Sequence, residues 1–173
     1  KFNDYSILAP ISDDAKYPNY KTNNKKITND NPDCLSVDSV DGYAMLINKN
    51  KFSDNIYFDE NFFLYLENDD LCLRQKKKYN KIYIAKKAKI NHLGGKSHSA
   101  SHEKEIEFSR NWHWMWSKFY FNKKHYGYLK AFLSTFPTLL SSVIKLLYYL
   151  VTNNKFKKKI YTMRFLGLLN SML

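Results

Sequence analysis

The sequence predicts an α/β fold followed by a basic helical tail. Strand-like apolar runs at residues 5–10 and 81–92 lie on either side of a helix-like segment at 67–76, and the chain after residue 102 has the pattern of helices. The 173 residues are 44% hydrophobic and 17% aromatic. This is enough to bury the core of one domain, and it excludes a disordered chain. Having just two cysteines, Cys34 and Cys72, excludes a disulfide scaffold and favours a reducing compartment.

The first 66 residues alternate between strand-like and polar segments. Residues 5–10 end at a proline and are typical of a strand, whereas residues 11–36 are polar without periodicity and indicate a long exposed loop or a hairpin tip. Residues 37–47 are strand-like but broken at Asp41-Gly42, and a glycine inside a strand marks a bulge or a close approach of the backbone. The aromatic block at 62–66 is expected in the core.

A helix and two strands are predicted next. The helix at 67–76 has acids in its first turn, which suits the positive end of its dipole, and we expect Asn68 or Asp69 to cap it. Residues 81–85 and 88–92 each predict a short strand. The Ser- and Gly-rich segment that follows indicates a loop.

The positive charge is concentrated in residues 103–173, which we separate from residues 1–102 as a second, helical region. The first region carries a net charge of +3 and the second +9, and no acid follows Glu107. Lys supplies nearly all of the surplus, which suits a diffuse anionic surface better than the bidentate contacts for which Arg is preferred. We expect helices from Glu103 to about Asn122 and over most of the chain from Tyr128. A solvated surface or compositional drift is the alternative.

The helix expected from Tyr128 is predicted to lie in a membrane surface. Polar residues share one face and apolar residues the other: Lys130, Ser134, Thr138, Ser141 and Lys145 against Phe132, Phe136, Leu139, Leu140, Val143, Leu147 and Leu150. The 14 residues between the two lysines are fewer than the roughly 20 that a spanning helix needs. The later basic residues would attract anionic headgroups: Lys155, Lys157, Lys158, Lys159 and Arg164. A partner helix and a nucleic acid are the alternative contacts.

Three carboxylates, those of Glu67, Asp69 and Asp70, directly follow the aromatic block. A carboxylate at the mouth of a buried element is partly desolvated, so it could act as a general base. Neighbouring acids raise one another's pKa, whereas a helix N-terminus lowers it, so the sequence does not decide which acid is poised. An ordinary acidic first turn is the alternative.

His92, His98 and His102 form a weak metal pattern, because no cysteine and no HExxH accompanies them. We favour His92 alone, which ends a strand beside Gly94-Gly95, where an imidazole and backbone groups could approach a metal-bound phosphate. The sequence contains no P-loop, no dinucleotide fingerprint and no nucleophile elbow.

Three segments carry a family pattern. They are DGYAMLI from Asp41, FDENFFLYLENDDLCLR from Phe58 to Arg74, and INHLGGKS from Ile90 to Ser97. In this order and spacing they resemble the C-terminal half of family 2 glycosyltransferases, most closely the bacterial rhamnosyltransferase-like branch. The resemblance covers residues 37–127 well and the remainder weakly. Three ordered motifs are more specific than any one of them.

The resemblance implies the C-terminal part of a GT-A domain, a doubly wound α/β fold, with inverting glycosyltransferase activity. Such an enzyme moves a sugar from a nucleotide-diphosphate donor to an acceptor, here a lipid-linked or cell-surface glycan of bacterial polysaccharide biosynthesis. It implies a divalent metal (Mg or Mn) that neutralises the leaving diphosphate and is faced by His92, so one carboxylate base suffices. Asp41, Gly42, Asn68 and Arg74 would bind substrate. The expected location is peripheral, on the cytoplasmic face of the inner membrane.

Two departures from the family pattern bear on activity. The family usually has Glu-Asp-x-Asp-Leu here, with the first Asp as base, and this chain has Asn68 at that position. The role would fall to Asp70 or Glu67, with Asp69 less suited; otherwise the chain is a catalytically inactive scaffold. The nucleotide-binding N-terminal half of the family, with most of the metal ligands, is not among the 173 residues. We therefore expect no measurable transfer by this chain alone.

Overall fold

The computed structural model of the chain describes residues 4–22, 32–52, 57–92 and 102–173. Its fold is mixed α/β, which confirms the predicted class at that level. The strands are β1 (Ile7–Ser12), β2 (Tyr20–Lys21), β3 (Cys34–Ser36), β4 (Ser39–Val40), β5 (Leu46–Ile47) and β6 (Ile82–Ile90). A short 3-10 helix covers Lys49–Lys51, and the α-helices are α1 (Glu67–Lys77), α2 (Glu103–Tyr126), α3 (Tyr128–Val151) and α4 (Lys155–Met172).

The chain divides into two compact units. The sheet unit comprises Lys1–Asn61 and Glu67–Gly94, and the helical unit comprises Phe62–Leu66 and Gly95–Leu173. The predicted division after residue 102 lies closest to the last of the three crossings between the units. It did not anticipate that the short segment before α1 groups with the helices.

The main sheet of the sheet unit has four strands in the order β3-β6-β1-β5. Strands β1 and β6 are parallel, and the two outer pairs are antiparallel. Strands β2 and β4 form a separate antiparallel pair. The described strands therefore form small mixed sheets with one parallel pair, and the doubly wound parallel arrangement is not seen in them.

Alternation along the parallel pair builds the core of the sheet unit. Ile7 and Ala9 of β1 and Ile82 and Ile84 of β6 are buried, because alternate side chains of a strand point to the same face. Helix α1 packs Leu71 into the same cluster. Because β1 and β6 are parallel neighbours, their carboxyl ends lie at the same edge of the main sheet.

In the helical unit, α2 and α4 approach each other unusually closely. A Cβ added at Gly167 of α4 would lie 2.3 Å from the carbonyl oxygen of Trp112 in α2, so only glycine fits. Met115, Phe119, Ala131 and Leu168 form the small core beside this crossing: one residue from α3, one from α4 and two from α2.

The structure confirms several predicted elements and corrects others. The strand near 5–10 and the helices from Glu103 and Tyr128 are present. The two short strands predicted after α1 are one strand, β6, whose pairing with β1 shifts register between Pro10 and Ile11. The predicted polar loop at 11–36 contains β2 and β3, because short edge strands leave little periodicity in a sequence.

The aromatic block at 62–66 is not a core segment as a whole. Phe62 is buried, but the side chain of Phe63 is 77% exposed. Tyr65 and Leu66 have left-handed backbone angles, φ 70° and 68°, so the chain turns sharply just before α1. Because the chain turns here, the five consecutive side chains are not all buried in one core.

Candidate functional site

The candidate site lies at the edge of the sheet unit where β1 and β6 both end. The amide of Asp13, just after β1, donates to the carbonyl of Ile90, the last residue of β6, at 3.1 Å. His92 follows β6 by two residues. Because carboxyl ends of parallel strands open onto a shared crevice, this is the edge at which α/β sheets commonly bind ligands.

Asp41 is held at this edge by its backbone. Its amide donates to the carbonyl of Asn19 at 2.9 Å. Asn19 is itself buried: its Nδ2 donates to the Pro10 carbonyl, and its Oδ1 accepts from the Ser12 amide, both at 2.8 Å. Asn19, with both ends of its buried amide hydrogen-bonded to β1 and its carbonyl bonded to Asp41, therefore ties the start of the Asp41-Gly42 turn to the end of β1.

Asn68 connects the same turn to α1. Its Nδ2 donates to the carbonyl of Val40 at 2.8 Å. The helix begins at Glu67, so the prediction that Asn68 or Asp69 caps it is wrong. An ionised aspartate could not donate this bond, so the asparagine at this position has a structural reason of its own.

Glu67 carries the most unusual carboxylate of the site. Its Oε2 is buried and has no hydrogen-bond partner among the described residues. Its Oε1 lies 4.0 Å from the position that a Cβ would occupy on Gly42, and Gly42 itself is exposed. The carboxylate thus has one buried oxygen without a partner and one oxygen that lies near an exposed glycine.

The other two acids of the cluster have ionic partners. Asp69 pairs with Lys21 of β2, Oδ2 to Nζ 2.6 Å. Asp70 is completely buried, and its Oδ2 accepts from Nε of Arg74 at 2.9 Å. Arg74 also donates from Nη2 to the carbonyl of Tyr57.

This geometry bears on two sequence-based predictions. Asp70, a predicted candidate base, is inaccessible to an acceptor, because its side chain has no exposed surface and is in an ion pair. Arg74, predicted to bind substrate, uses two of its hydrogen bonds to hold that buried carboxylate and the carbonyl of Tyr57. Of the three predicted acids, Glu67 is the one with no ion pair among the described residues.

The electrostatics of Asp41 reflect its half-buried position. Burial raises its pKa above the ordinary value, the charge of Lys21 lowers it, Asp69 raises it and His92 lowers it. The imidazole of His92 stacks on the ring of Tyr43, with centroids 4.2 Å apart and planes within 7°. Asp41, Asp69 and His92 thus belong to one electrostatic neighbourhood.

A metal does not fit the residues that the structure describes. No three His, Cys, Asp or Glu side chains in these ranges are grouped so that they could hold an ion. His92 is exposed and stacked on Tyr43. His98 lies outside the described residues. We therefore derive no step through a metal.

The sequence pattern missed three members of the site: Asn19, Lys21 and Tyr43. The first two lie in the segment predicted to be a long exposed loop or hairpin tip, whose local sequence is polar and has no periodicity. The predicted members Asp41, Gly42, Glu67, Asn68, Asp69 and His92 lie in the same part of the sheet unit. Comparisons with known protein families, with curated proteins and with solved structures found no match to this chain.

Proposed function

We propose that this chain is the acceptor-side part of an inverting glycosyltransferase of the GT-A type. The observation that carries the proposal is the Glu67 carboxylate. Its Oε2 is buried without a hydrogen-bond partner among the described residues, and its Oε1 lies 4.0 Å from the position of a Cβ on the exposed Gly42. The motif resemblance supports the same proposal. Two of its segments contribute to the candidate site, the one that begins at Asp41 and the one that contains Glu67. The substrates would be a nucleotide-diphosphate sugar and a lipid-linked or surface glycan.

In the proposed reaction Glu67 acts as the general base. The acceptor hydroxyl loses its proton to Glu67 while its oxygen bonds to the anomeric carbon of the donor sugar. The bond from that carbon to the diphosphate breaks, and the diphosphate leaves with the electron pair. Asn68 and Asn19 are positioning residues, since they hold the Asp41-Gly42 turn opposite the base.

Sugar transfer by Glu67→Gln tests this role. The protein would be the whole product of the reading frame that encodes this chain, assayed with a panel of radiolabelled nucleotide-diphosphate sugars and a bacterial membrane extract as acceptor. Loss of a general base lowers a rate by about 10²- to 10⁴-fold, and we expect a fall of kcat in this range. Glu60→Gln, a change of an exposed glutamate in the same unit, is the matched control and should leave the rate unchanged.

Two outcomes would overturn the proposal. One is transfer by Glu67→Gln at the rate of the unchanged protein. The other is a folded protein that transfers no sugar from any donor, which would favour an inactive scaffold. Tight, steeply salt-dependent binding of oligonucleotides in place of transfer would instead favour the nucleic-acid alternative.

We also propose that the helical unit rests on the anionic cytoplasmic membrane surface through α3. This helix packs inward through small residues, Ala131, Thr135 and Ser142. Large apolar side chains on the opposite side are 45–71% exposed: Leu129, Leu133, Phe136, Leu140, Ile144 and Leu147. Their spacing of three and four residues makes one continuous stripe. We call this set the α3 stripe.

The positive charge of the helical region supports an anionic membrane surface as the partner of the α3 stripe. The helical region from residue 103 carries +9, and every charged side chain after Glu107 is basic. Each Lys or Arg near an anionic membrane contributes about 1 kcal/mol. By length and composition α3 could also cross a membrane, and only 17% of its most apolar window is buried, so the expectation that this segment is too short does not hold. The exposed Lys130 and Lys145 within α3 favour the surface position.

Vesicle flotation distinguishes the two positions. We expect the chain to bind vesicles of phosphatidylcholine with 30% phosphatidylserine, to bind pure phosphatidylcholine weakly, and to be released by high salt. Ile144→Glu should weaken binding at least tenfold, whereas Ser134→Glu adds the same charge beside the α3 stripe and should have a smaller effect. Retention in the membrane after alkaline carbonate extraction would show a spanning helix, and equal effects of both variants would remove the stripe from the contact.

A further inference from the structure

The helical unit contains a cavity that the proposed transfer reaction does not use. Its volume is about 320 Å³. It is lined by Tyr65, Glu107, Arg110, Asn111, Trp114 and Arg164, all of which belong to the helical unit. We call it the arginine pocket. Its side chains come from α2, from α4 and from the turn before α1.

The pocket differs from the rest of the chain because its basic residues are arginines and not lysines. Of 28 Lys and Arg residues, only three are Arg. One of them, Arg74, neutralises buried Asp70, and the other two, Arg110 and Arg164, line the same cavity from different helices. Where a diffuse positive surface suffices, this chain uses Lys. A planar guanidinium with its fork of donors is the better ligand for phosphate.

Arg164 is held in place for such a contact. Its Nε donates to Oδ1 of Asn111 at 2.8 Å, and Nδ2 of that asparagine donates to the carbonyl and to Oε1 of Glu107, both at 2.8 Å. Within the described ranges, its Nη atoms have no protein hydrogen bond. The close crossing of α4 and α2 at Gly167 lies one turn along α4 from Arg164.

The remaining wall is aromatic and sterically constrained. Trp114 is 40% exposed, and Tyr65 meets it edge to face, with ring centroids 5.4 Å apart. The backbone at Tyr65 is left-handed, φ 70°, which is strained for a residue other than glycine. The Ser117 hydroxyl anchors the turn by donating to the carbonyl of Leu64 at 2.8 Å. Aromatic faces of this kind pack against the ring of a sugar or against an apolar chain.

We propose that the arginine pocket binds a phosphate or pyrophosphate group whose attached sugar or lipid lies against Trp114. The two guanidinium groups exceed the single carboxylate of Glu107, and that carboxylate already accepts from Asn111. The inference uses residues of the helical unit alone and does not rest on the proposed glycosyl transfer. Two sources carry this phosphate chemistry, a soluble sugar phosphate and a phosphorylated lipid.

Calorimetry and flotation with defined probes test the inference. Glucose 1-phosphate and inorganic pyrophosphate would be titrated into the chain. Phosphatidylcholine vesicles with a polyprenyl phosphate would be compared with vesicles of equal charge made with phosphatidylserine. Saturable binding of the soluble probes identifies a free phosphate ligand, and preference for the polyprenyl phosphate identifies the lipid.

Substitutions separate recognition from general attraction. Arg110→Gln should weaken binding at least tenfold, and Arg110→Lys should also weaken it, because charge without the fork is insufficient. Lys104→Gln, the same loss of charge at an exposed position of α2, should change affinity less than twofold. Thermal unfolding of each variant checks that it is folded.

The inference is overturned if no probe binds saturably, if Lys104→Gln weakens binding as much as Arg110→Gln, or if Arg110→Lys binds like the unchanged chain. Ile144→Glu in the α3 stripe adds a second control. It should lower attachment to phosphatidylserine vesicles but leave the affinity for soluble probes unchanged.

Discussion

The sheet unit and the helical unit treat charge in opposite ways. In the sheet unit acids and bases pair within the fold, as Asp69 does with Lys21 and Asp70 with Arg74. In the helical unit the basic side chains lie over aromatic rings, as Lys130 does over Tyr126 at 4.3 Å, and no acid follows Glu107. A basic side chain over a ring keeps its charge, so the helical unit keeps a larger positive charge than the sheet unit, where most charges are balanced by acids.

Apolar surface differs between the units in the same direction. The sheet unit buries its β-branched residues in one cluster around Ile7 and Ile84. The helical unit leaves the α3 stripe exposed along most of one helix. The sheet unit therefore has a buried apolar core, whereas the helical unit has an exposed apolar stripe together with a net positive charge.

The strongest test of internal pairing in the sheet unit is Arg74→Ala. It leaves the fully buried Asp70 without its ionic partner, and loss of one member of a buried pair costs about 3–5 kcal/mol of unfolding free energy. Urea unfolding measures it. Lys49→Ala, at an exposed position of the same unit, should stay within about 0.5 kcal/mol. A loss below about 1 kcal/mol for Arg74→Ala would show that Asp70 is solvated or protonated.

Gly167→Ala tests the packing on which the helical unit depends. The added methyl group would meet the Trp112 carbonyl at 2.3 Å, so α4 must move away from α2. Overpacking of this kind costs about 1–3 kcal/mol, seen as a lower midpoint of thermal unfolding. Asn170→Ala on an exposed part of α4 is the control and should be nearly neutral. If Gly167→Ala were equally neutral, the helices would not be in close contact there.

How well the sequence predicted a feature depends on how far apart along the chain the contacting residues are. Periodicity located β1, β6 and the tail helices, and the glycine break with the acids before Leu71 located the Glu67 edge. Asp70 and Arg74 have the i,i+4 spacing of a helical ion pair, which the sequence could have predicted. The family pattern instead implied a catalytic role for Asp70 and a substrate-binding role for Arg74.

The features that were missed arise from contacts between distant segments. Lys21 meets Asp69 only because β2 pairs with β4. Arg110 and Arg164 share a pocket only because Gly167 lets two helices touch. Local sequence patterns do not predict such contacts. For the arginine pocket, the rarity of arginine in the chain was the one sequence signal.

The smallest expected effect is a dependence of the stability of the sheet unit on pH through Asp41. Burial raises the pKa of Asp41 in the folded chain, and the opposing charges of Lys21 and His92 do not remove the shift. Between the ordinary and the raised pKa the folded state binds more protons than the unfolded state, so stability falls as pH rises through this window. Asp41→Asn should therefore be more stable than the unchanged chain at pH 7.

Urea unfolding at pH 3 and pH 7 measures this difference. The advantage of Asp41→Asn should shrink at pH 3, where the aspartate is protonated in both states. Asp13→Asn, an exposed change near the end of β1, should show no such convergence. An advantage independent of pH, or a loss of stability at pH 7, would mean that Asp41 gains more from Lys21 than it loses by burial. The sheet unit would then cancel its charges even at the candidate site, and its contrast with the helical unit would be complete.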